Sequence, residues 1–208
     1  GVTLRRLMAA QRKGERATVA LLADGPDATY GSPATLGAHQ STTVTMANLA
    51  RGDYAMICFL VAKNGMPHWQ MGMVNILHVK GAARRGAPHA VATIRITDRA
   101  IVLPPAIRRG QGTFRVVNQG TKHHSLQLVR LAKGTTLAAY NRWFGGQSQA
   151  GKPVDGGGGV LAGGIDDLAG GHSGWLTLHL AHGRYGYAST DDITGPGLPP
   201  QSGVFTVR

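Results

Sequence analysis

Two stretches of this chain echo each other, and the echo limits the folds open to it more than any single residue does. Leu49-Ala50-Arg51-Gly52-Asp53-Tyr54 in the first half is answered by Leu180-Ala181-His182-Gly183-Arg184-Tyr185 in the second. Val2-Thr3-Leu4-Arg5-Arg6-Leu7, followed by a basic stretch ending Lys13-Gly14, is answered by Leu126-Gln127-Leu128-Val129-Arg130-Leu131 and then Lys133-Gly134. Each half closes on a short run of strand character, Ile76-Leu77-His78-Val79-Lys80 and Val204-Phe205-Thr206-Val207-Arg208. Self-similarity of this kind predicts two copies of one structural unit. Between them Gly81-Ala82-Ala83-Arg84-Arg85-Gly86-Ala87-Pro88 reads as a linker, which puts the expected domains at residues 1–80 and 89–208.

The class of that unit follows from the runs inside it. Thr42-Thr43-Val44-Thr45-Met46, Ala92-Thr93-Ile94-Arg95-Ile96 and Phe114-Arg115-Val116-Val117 are short and rich in β-branched residues. Clusters of Gly, Pro, Asn and Asp separate them, the pattern of a β sandwich or barrel. Residues 135–144 have helical composition between Gly134 and Gly145-Gly146, with Thr135 or Thr136 as the cap and Tyr140, Trp143 and Phe144 available to pack it. The expected fold is all-β: two tandem Greek-key β-sandwiches with one short helix in the second. The glycine-rich stretches at 155–159, 162–164 and 169–171 lack the order of a phosphate-binding loop and read as flexible connections.

The copies are unequal. The second carries extra strands at about 91–97, 101–103 and 112–118 that the first lacks, so the first copy is expected to begin partway through its own domain. Either the chain is truncated at its N-terminus, or strands from another chain complete the sandwich, since uncovered sheet edges are a liability. His123 and His124 stand just before the strand at 126–131, and the equivalent place in the first copy falls immediately before Gly1.

The formal charge of +12 is spread over pairs such as Arg5-Arg6, Arg12-Lys13, Arg84-Arg85 and Arg108-Arg109, none of them in a dense aromatic-basic stripe. That distribution argues against nucleic acid and for a generally basic surface suited to an acidic partner. No apolar stretch approaches the ~20 residues a spanning helix needs.

The chemistry gathers on one loop. Cys58 is the only cysteine and ends the strand-like run 54–60, and beyond it come His68 and Met73, giving Cys-x9-His-x4-Met. A thiolate, an imidazole and a thioether form a mixed soft and borderline donor set that suits copper. The same residues also read as a buried, inert cysteine near a surface histidine and a core methionine. An internal disulfide is excluded by the count. Hydrolase chemistry at Cys58 would need an acid to orient His68, and the sequence gives none a reason to be there. His179 and His182 are three apart in an expected strand, on opposite faces, and so are poorly placed to share a metal.

Cys58, His68 and Met73, with the Gly52-Asp53-Tyr54 turn before them, the Tyr54-x3-Cys58-Phe59 run and the Pro67-His68-x4-Met73 ending, resemble the cupredoxins, the blue-copper fold. The loop is one residue longer than that of two-domain copper nitrite reductases. The resemblance implies a type 1 copper site in the first domain: Cys58 as electronic coupling, His68 at the exposed edge where electrons leave, Met73 as weak axial ligand tuning the potential. Met71 is the less favoured axial choice. The fourth ligand of the family, a strand histidine, has no position in the first copy, and His123 or His124 would be the first substitutes. The counterpart of Cys58 in the second copy is Ser189, and the loop from Thr190 to Pro200 offers Asp191 and Asp192 but no histidine or methionine, so the second domain is expected to be metal-free. Ile57 stands where a nitrite reductase needs a histidine, and no His-x-His pair serves a multicopper oxidase, so neither enzyme activity is expected. The family further implies electron transfer with an acidic redox protein and a periplasmic or secreted setting. The alternative is a metal-free β-sandwich interaction module.

Overall fold

The computed structural model describes residues 2–21, 30–46, 49, 51–80, 86–147, 159–189 and 201–208. They divide into two compact units, one drawing on residues 2–21 and 51–80, the other on 30–46 and most of the chain from 86 onward. Strand is the dominant structure, as the composition predicts.

The second unit is a sandwich of two five-stranded sheets. One has the order β1 (Tyr30–Pro33), β9 (Gly159–Leu168), β8 (His124–Leu131), β11 (Gly183–Ala188), β12 (Ser202–Val207). The other runs β2 (Thr43–Thr45), β10 (Ser173–His179), β7 (Gln111–Asn118), β5 (Ala92–Ile96), β6 (Ile101–Val102). Alternate residues of each sheet point inward: Ile94, Ile96, Phe114, Val116 and Leu176 from one, and Leu126, Leu128, Ile165 and Phe205 from the other, form a single buried cluster. A fully buried apolar side chain of this size contributes roughly 1.5–3 kcal/mol, so this shared core is what holds the sheets face to face.

The helix expected near residue 135 is α3 (Leu137–Gln147). Thr136 is its cap: its Oγ1 accepts from the Ala139 N–H at 3.1 Å. Tyr140 and Phe144 are buried, and the Tyr140 ring lies so close to Gly186 that a Cβ there would stand 2.8 Å from it. Gly186 is thus where β11 admits the helix. The other end of the sandwich is fixed by buried Asn118, whose Nδ2 donates to the carbonyls of Lys122 and Leu168, both at 2.7 Å, while its Oδ1 accepts from Gly120 N.

The structure departs from the sequence expectations in three places. The stretch 2–7, set against the strand 126–131 by the repeat, runs instead into α1 (Leu4–Lys13), capped by Thr3 and ended at Gly14, with φ 108°. Its buried residues, Leu7 and Ala10, lie three apart on one face, a helical period that overrides the repeat. A short α2 (Glu15–Val19) follows. Residues 30–46 do not stay with the first half: β1 pairs with β9 and β2 with β10, and Gln127 Nε2 donates to Thr35 O at 3.0 Å. The sandwich edges that β9 and β10 leave open are closed by these strands. Finally, His179 ends β10 while His182 lies beyond it in the connection to β11, so they share no strand.

In the first unit α1 packs beside an antiparallel hairpin, β3 (Gly52–Ile57) with β4 (Val74–Val79). The repeat is visible here. β3 pairs with β4 from Gly52↔Val79 to Ile57↔Val74, and β11 pairs with β12 from Gly183↔Val207 to Ala188↔Ser202, so the echoed sequences hold the same six-step register. The linker residues 81–85 and the glycine stretch 155–158 lie outside the described residues.

Candidate metal centre

β3 delivers the chain to Cys58 at the end of the hairpin, and a small return loop brings His68 back to it. His68 N donates to Leu60 O at 2.8 Å, Val61 bridges to Pro67, and Ala62 N donates to Met66 O at 2.9 Å, with Gly65 (φ 80°) at the tip. The chain then takes a 310 turn over His68–Met71 and leaves it through Gly72, whose φ of 99° favours glycine. Trp69, within this turn, is buried, and its backbone N–H donates to Cys58 O at 3.1 Å.

The loop closes on its three chemical residues. Cys58 N donates to Met73 O at 3.0 Å, and Met73 N donates to His68 O at 3.0 Å. Backbone hydrogen bonds therefore tie each of the three residues to another. Cys58 Sγ lies 3.6 Å from His68 Nδ1, with the pair half-buried. Two ligands of one tetrahedral ion, at metal–sulfur and metal–nitrogen lengths of about 2.3 and 2.05 Å, stand about 3.6 Å apart. The observed separation fits that arrangement, and it also fits a weak sulfur–imidazole hydrogen bond. Met73 and Met71 are each more than half exposed, and Phe59, directly after Cys58, is 65% exposed.

Other histidines have other partners. His78, on β4 of the same unit, holds Asp53 with Nδ1–Oδ1 at 2.6 Å. Beside this pair a shallow depression of about 380 Å³, lined by Arg51, Asp53 and Lys80 among others, lies at the opposite end of the hairpin from Cys58. His123 Nδ1 stands 2.7 Å from Asp167 Oδ1, and fully buried His124 places Nε2 2.9 Å from Asp98 Oδ1. Asp98 also accepts from Thr121 N, Thr121 Oγ1 and Lys122 N. The His124 hydrogen bond first, and the Thr121 amide next, hold the Asp98 carboxyl well below the usual carboxylate range, against a smaller upward push from burial. Among the described residues no three His, Cys, Asp or Glu side chains gather as a metal-binding group.

The second copy of the hairpin shows what the first would be without its thiol. Ser189 follows β11 as Cys58 follows β3, and its N–H donates to Gln201 O at 3.0 Å as that of Cys58 donates to Met73 O. Ser189 is fully buried, and its Oγ accepts from the N–H of Ser125, next to His124, at 3.3 Å. The intervening loop, with Asp191 and Asp192, lies outside the described residues. Sequence reasoning missed Trp69 and Asp98. Trp69 could have been found as the one tryptophan inside the Cys–Met loop. Asp98 had only a turn-forming Thr97-Asp98-Arg99 to mark it, since its partners lie more than twenty residues away.

No family model and no curated protein matches this sequence. Among solved structures it is similar to auracyanin B, at 22% identity over 59% of this chain and 93% of that one, with a TM-score of 0.34. It is also similar to the dithionite-reduced auracyanin of the photosynthetic bacterium Roseiflexus castenholzii, at 18% identity over 56% of this chain and 95% of that one, with a TM-score of 0.36. Overlap this loose assigns the chain to no family.

Proposed function

We propose that the loop from Cys58 to Met73 is a copper site and that the protein transfers electrons through it, as a cupredoxin-like protein. The observation that carries this reading is the 3.6 Å separation of Cys58 Sγ and His68 Nδ1, held by a closed set of backbone hydrogen bonds rather than by chance contact of mobile side chains. Cys58 and His68 would hold the ion and Met73 would be the axial thioether, with Met71 the less favoured alternative. Bound there, copper would supply a one-electron couple tuned by the axial ligand and by the apolar surroundings of the sulfur. The protein's own part is to fix donor positions in advance: β3 and β4 set the loop ends, the Trp69 backbone N–H ties the turn to Cys58 O, and Gly72 turns the chain so that Met73 returns to Cys58.

The first unit's other described histidine, His78, is committed to Asp53, so the fourth donor of a blue-copper set comes from elsewhere in the proposal. His123 and His124 belong to the other unit, where Asp167 and Asp98 hold them. An extracytoplasmic setting belongs to the same proposal. Among the described residues no helix is long and apolar enough to cross a membrane.

The test is a Cu(II) titration of the whole chain followed by visible absorption and electron paramagnetic resonance. A thiolate-to-copper charge-transfer band that disappears in Cys58→Ser supports the reading. If no band forms, the 3.6 Å contact is the sulfur–imidazole hydrogen bond of a metal-free interaction module, and a visible band that survives in Cys58→Ser comes from copper held elsewhere and refutes the site.

A further inference from the structure

The first unit presents a cationic helix face. α1 contains no acidic residue, and Arg5, Arg6, Arg12 and Lys13 are all exposed. At 100° per residue, Arg5 and Arg12 fall on one row and Arg6 and Lys13 on the next, each pair two turns or about 10.5 Å apart along the axis. Leu7, on the far side of the helix from these rows, is buried, as is Ala10 at their edge. None of the four cations has an ion-pair partner among the described residues. Over its described residues this unit holds eight Lys and Arg against two acids, Glu15 and Asp53.

We propose that the Arg5–Arg12 and Arg6–Lys13 rows of α1 dock an acidic surface of a partner protein. Three observations favour that occupant. The rows form a grid of fixed spacing, which matches carboxylates carried on a folded surface. Arginine predominates, and its planar fork pairs carboxylates in two-point contacts. Leu7 and Ala10 of α1 are already buried and Leu4 is its one exposed large apolar side chain, too little for the helix to lay into a lipid interface as amphipathic membrane anchors do. Nucleic acid fits less well, because the helix carries no aromatic side chain on which a base could stack. The docking face is independent of the copper reading, since it uses no residue of the Cys58–Met73 loop.

The experiment compares two charge-matched variants of the full chain for binding to fluorescent poly-L-glutamate at low and physiological salt. One is Arg5→Gln with Arg6→Gln, Arg12→Gln and Lys13→Gln. The other is Arg95→Gln with Arg99→Gln, Arg108→Gln and Arg109→Gln, four exposed cations of the second unit. The first is expected to lose affinity at least tenfold and to flatten the salt dependence, while the second stays within about twofold of the parent. A third variant with Arg5, Arg6 and Arg12 each changed to Lys keeps the charge but loses the two-point contacts, and is expected to bind more weakly than the parent and more tightly than the four-Gln helix variant. Should the four-Gln helix lose helicity by circular dichroism, the two-residue rows are tested separately, each expected to weaken binding about threefold. Equal losses in the two four-Gln variants, or no binding by the parent at low salt, overturn the proposal. So does tighter binding by the parent to a 20-base-pair DNA duplex or to phosphatidylserine vesicles.

Discussion

Replacing Gly72 with alanine separates the role of the loop's turn from that of its stability. Gly72 has φ 99° and ψ 3°, a backbone conformation that costs an L-residue about 1–2 kcal/mol. A Cβ added there would meet nothing within 4 Å, so the conformational penalty is the whole effect. Gly65, at the tip of the return loop, offers a matched control: φ 80° and equally open space. Both Gly72→Ala and Gly65→Ala are therefore expected to weaken the first unit by about 1–2 kcal/mol. They differ in what the strain pulls on. Gly72 joins His68 to Met73, and rotating it to relieve strain breaks the Met73 N–His68 O and Cys58 N–Met73 O hydrogen bonds. Gly65 lies beyond the Val61–Pro67 bridge, away from the donors. Copper at the proposed site would require the closed loop, so Gly72→Ala should bind Cu(II) about tenfold more weakly, the equivalent of ~1.4 kcal/mol, while Gly65→Ala stays near the parent. Native-state hydrogen exchange at the Cys58 and Met73 amides reads the stability, and Cu(II) titration reads the affinity. The reasoning is refuted if Gly72→Ala leaves those amides fully protected, or if the two variants lose copper affinity equally.

Further outcomes follow from the second unit. Asp98 is held below its ordinary value of 3.8, so its contribution to stability is complete above that pH and is lost as pH falls below it, toward the depressed folded value. Denaturation across pH 2–6 should show a decline below about pH 4 that is shallower in Asp98→Asn, and identical slopes would contradict the His124 and Thr121 contacts. Leu128→Ala, at a fully buried site on the central strand β8, should cost about 2–5 kcal/mol by urea denaturation, and a loss under ~1 would mean the sheets are not packed through it. Gly164→Ala should cost about 3 kcal/mol or more, because a side chain at φ 141° would run into the Leu126 carbonyl; a stability close to the parent's would show that β8 and β9 do not approach as described.

What the sequence carried by itself was local. The echo of residues 49–54 in 180–185 marks two strand pairs of the same register, Gly52 and Gly183 opening β3 and β11 opposite Val79 and Val207. Thr135 and Thr136 marked the start of α3 as alternative caps, because a hydroxyl there can accept from a first-turn amide, and the Thr136 hydroxyl is the one that does so. The spacing of Cys58, His68 and Met73 pointed to one loop, and their backbone bonds do close it. Tertiary structure decided the rest. Residues 2–7 match a strand when laid on the repeat, yet Leu7 and Ala10 bury one helical face, and packing selects the helix. Residues 30–46 join the second unit because β9 and β10, far along the chain, leave edges whose N–H and C=O groups need partners. His123 and His124 read as spare copper ligands until Asp167 and Asp98, each more than twenty residues away, are folded against them. Short-range sequence fixes period, turn and cap, but which edge a strand completes and which carboxylate meets a histidine depend on groups that only the closed fold brings within hydrogen-bond reach.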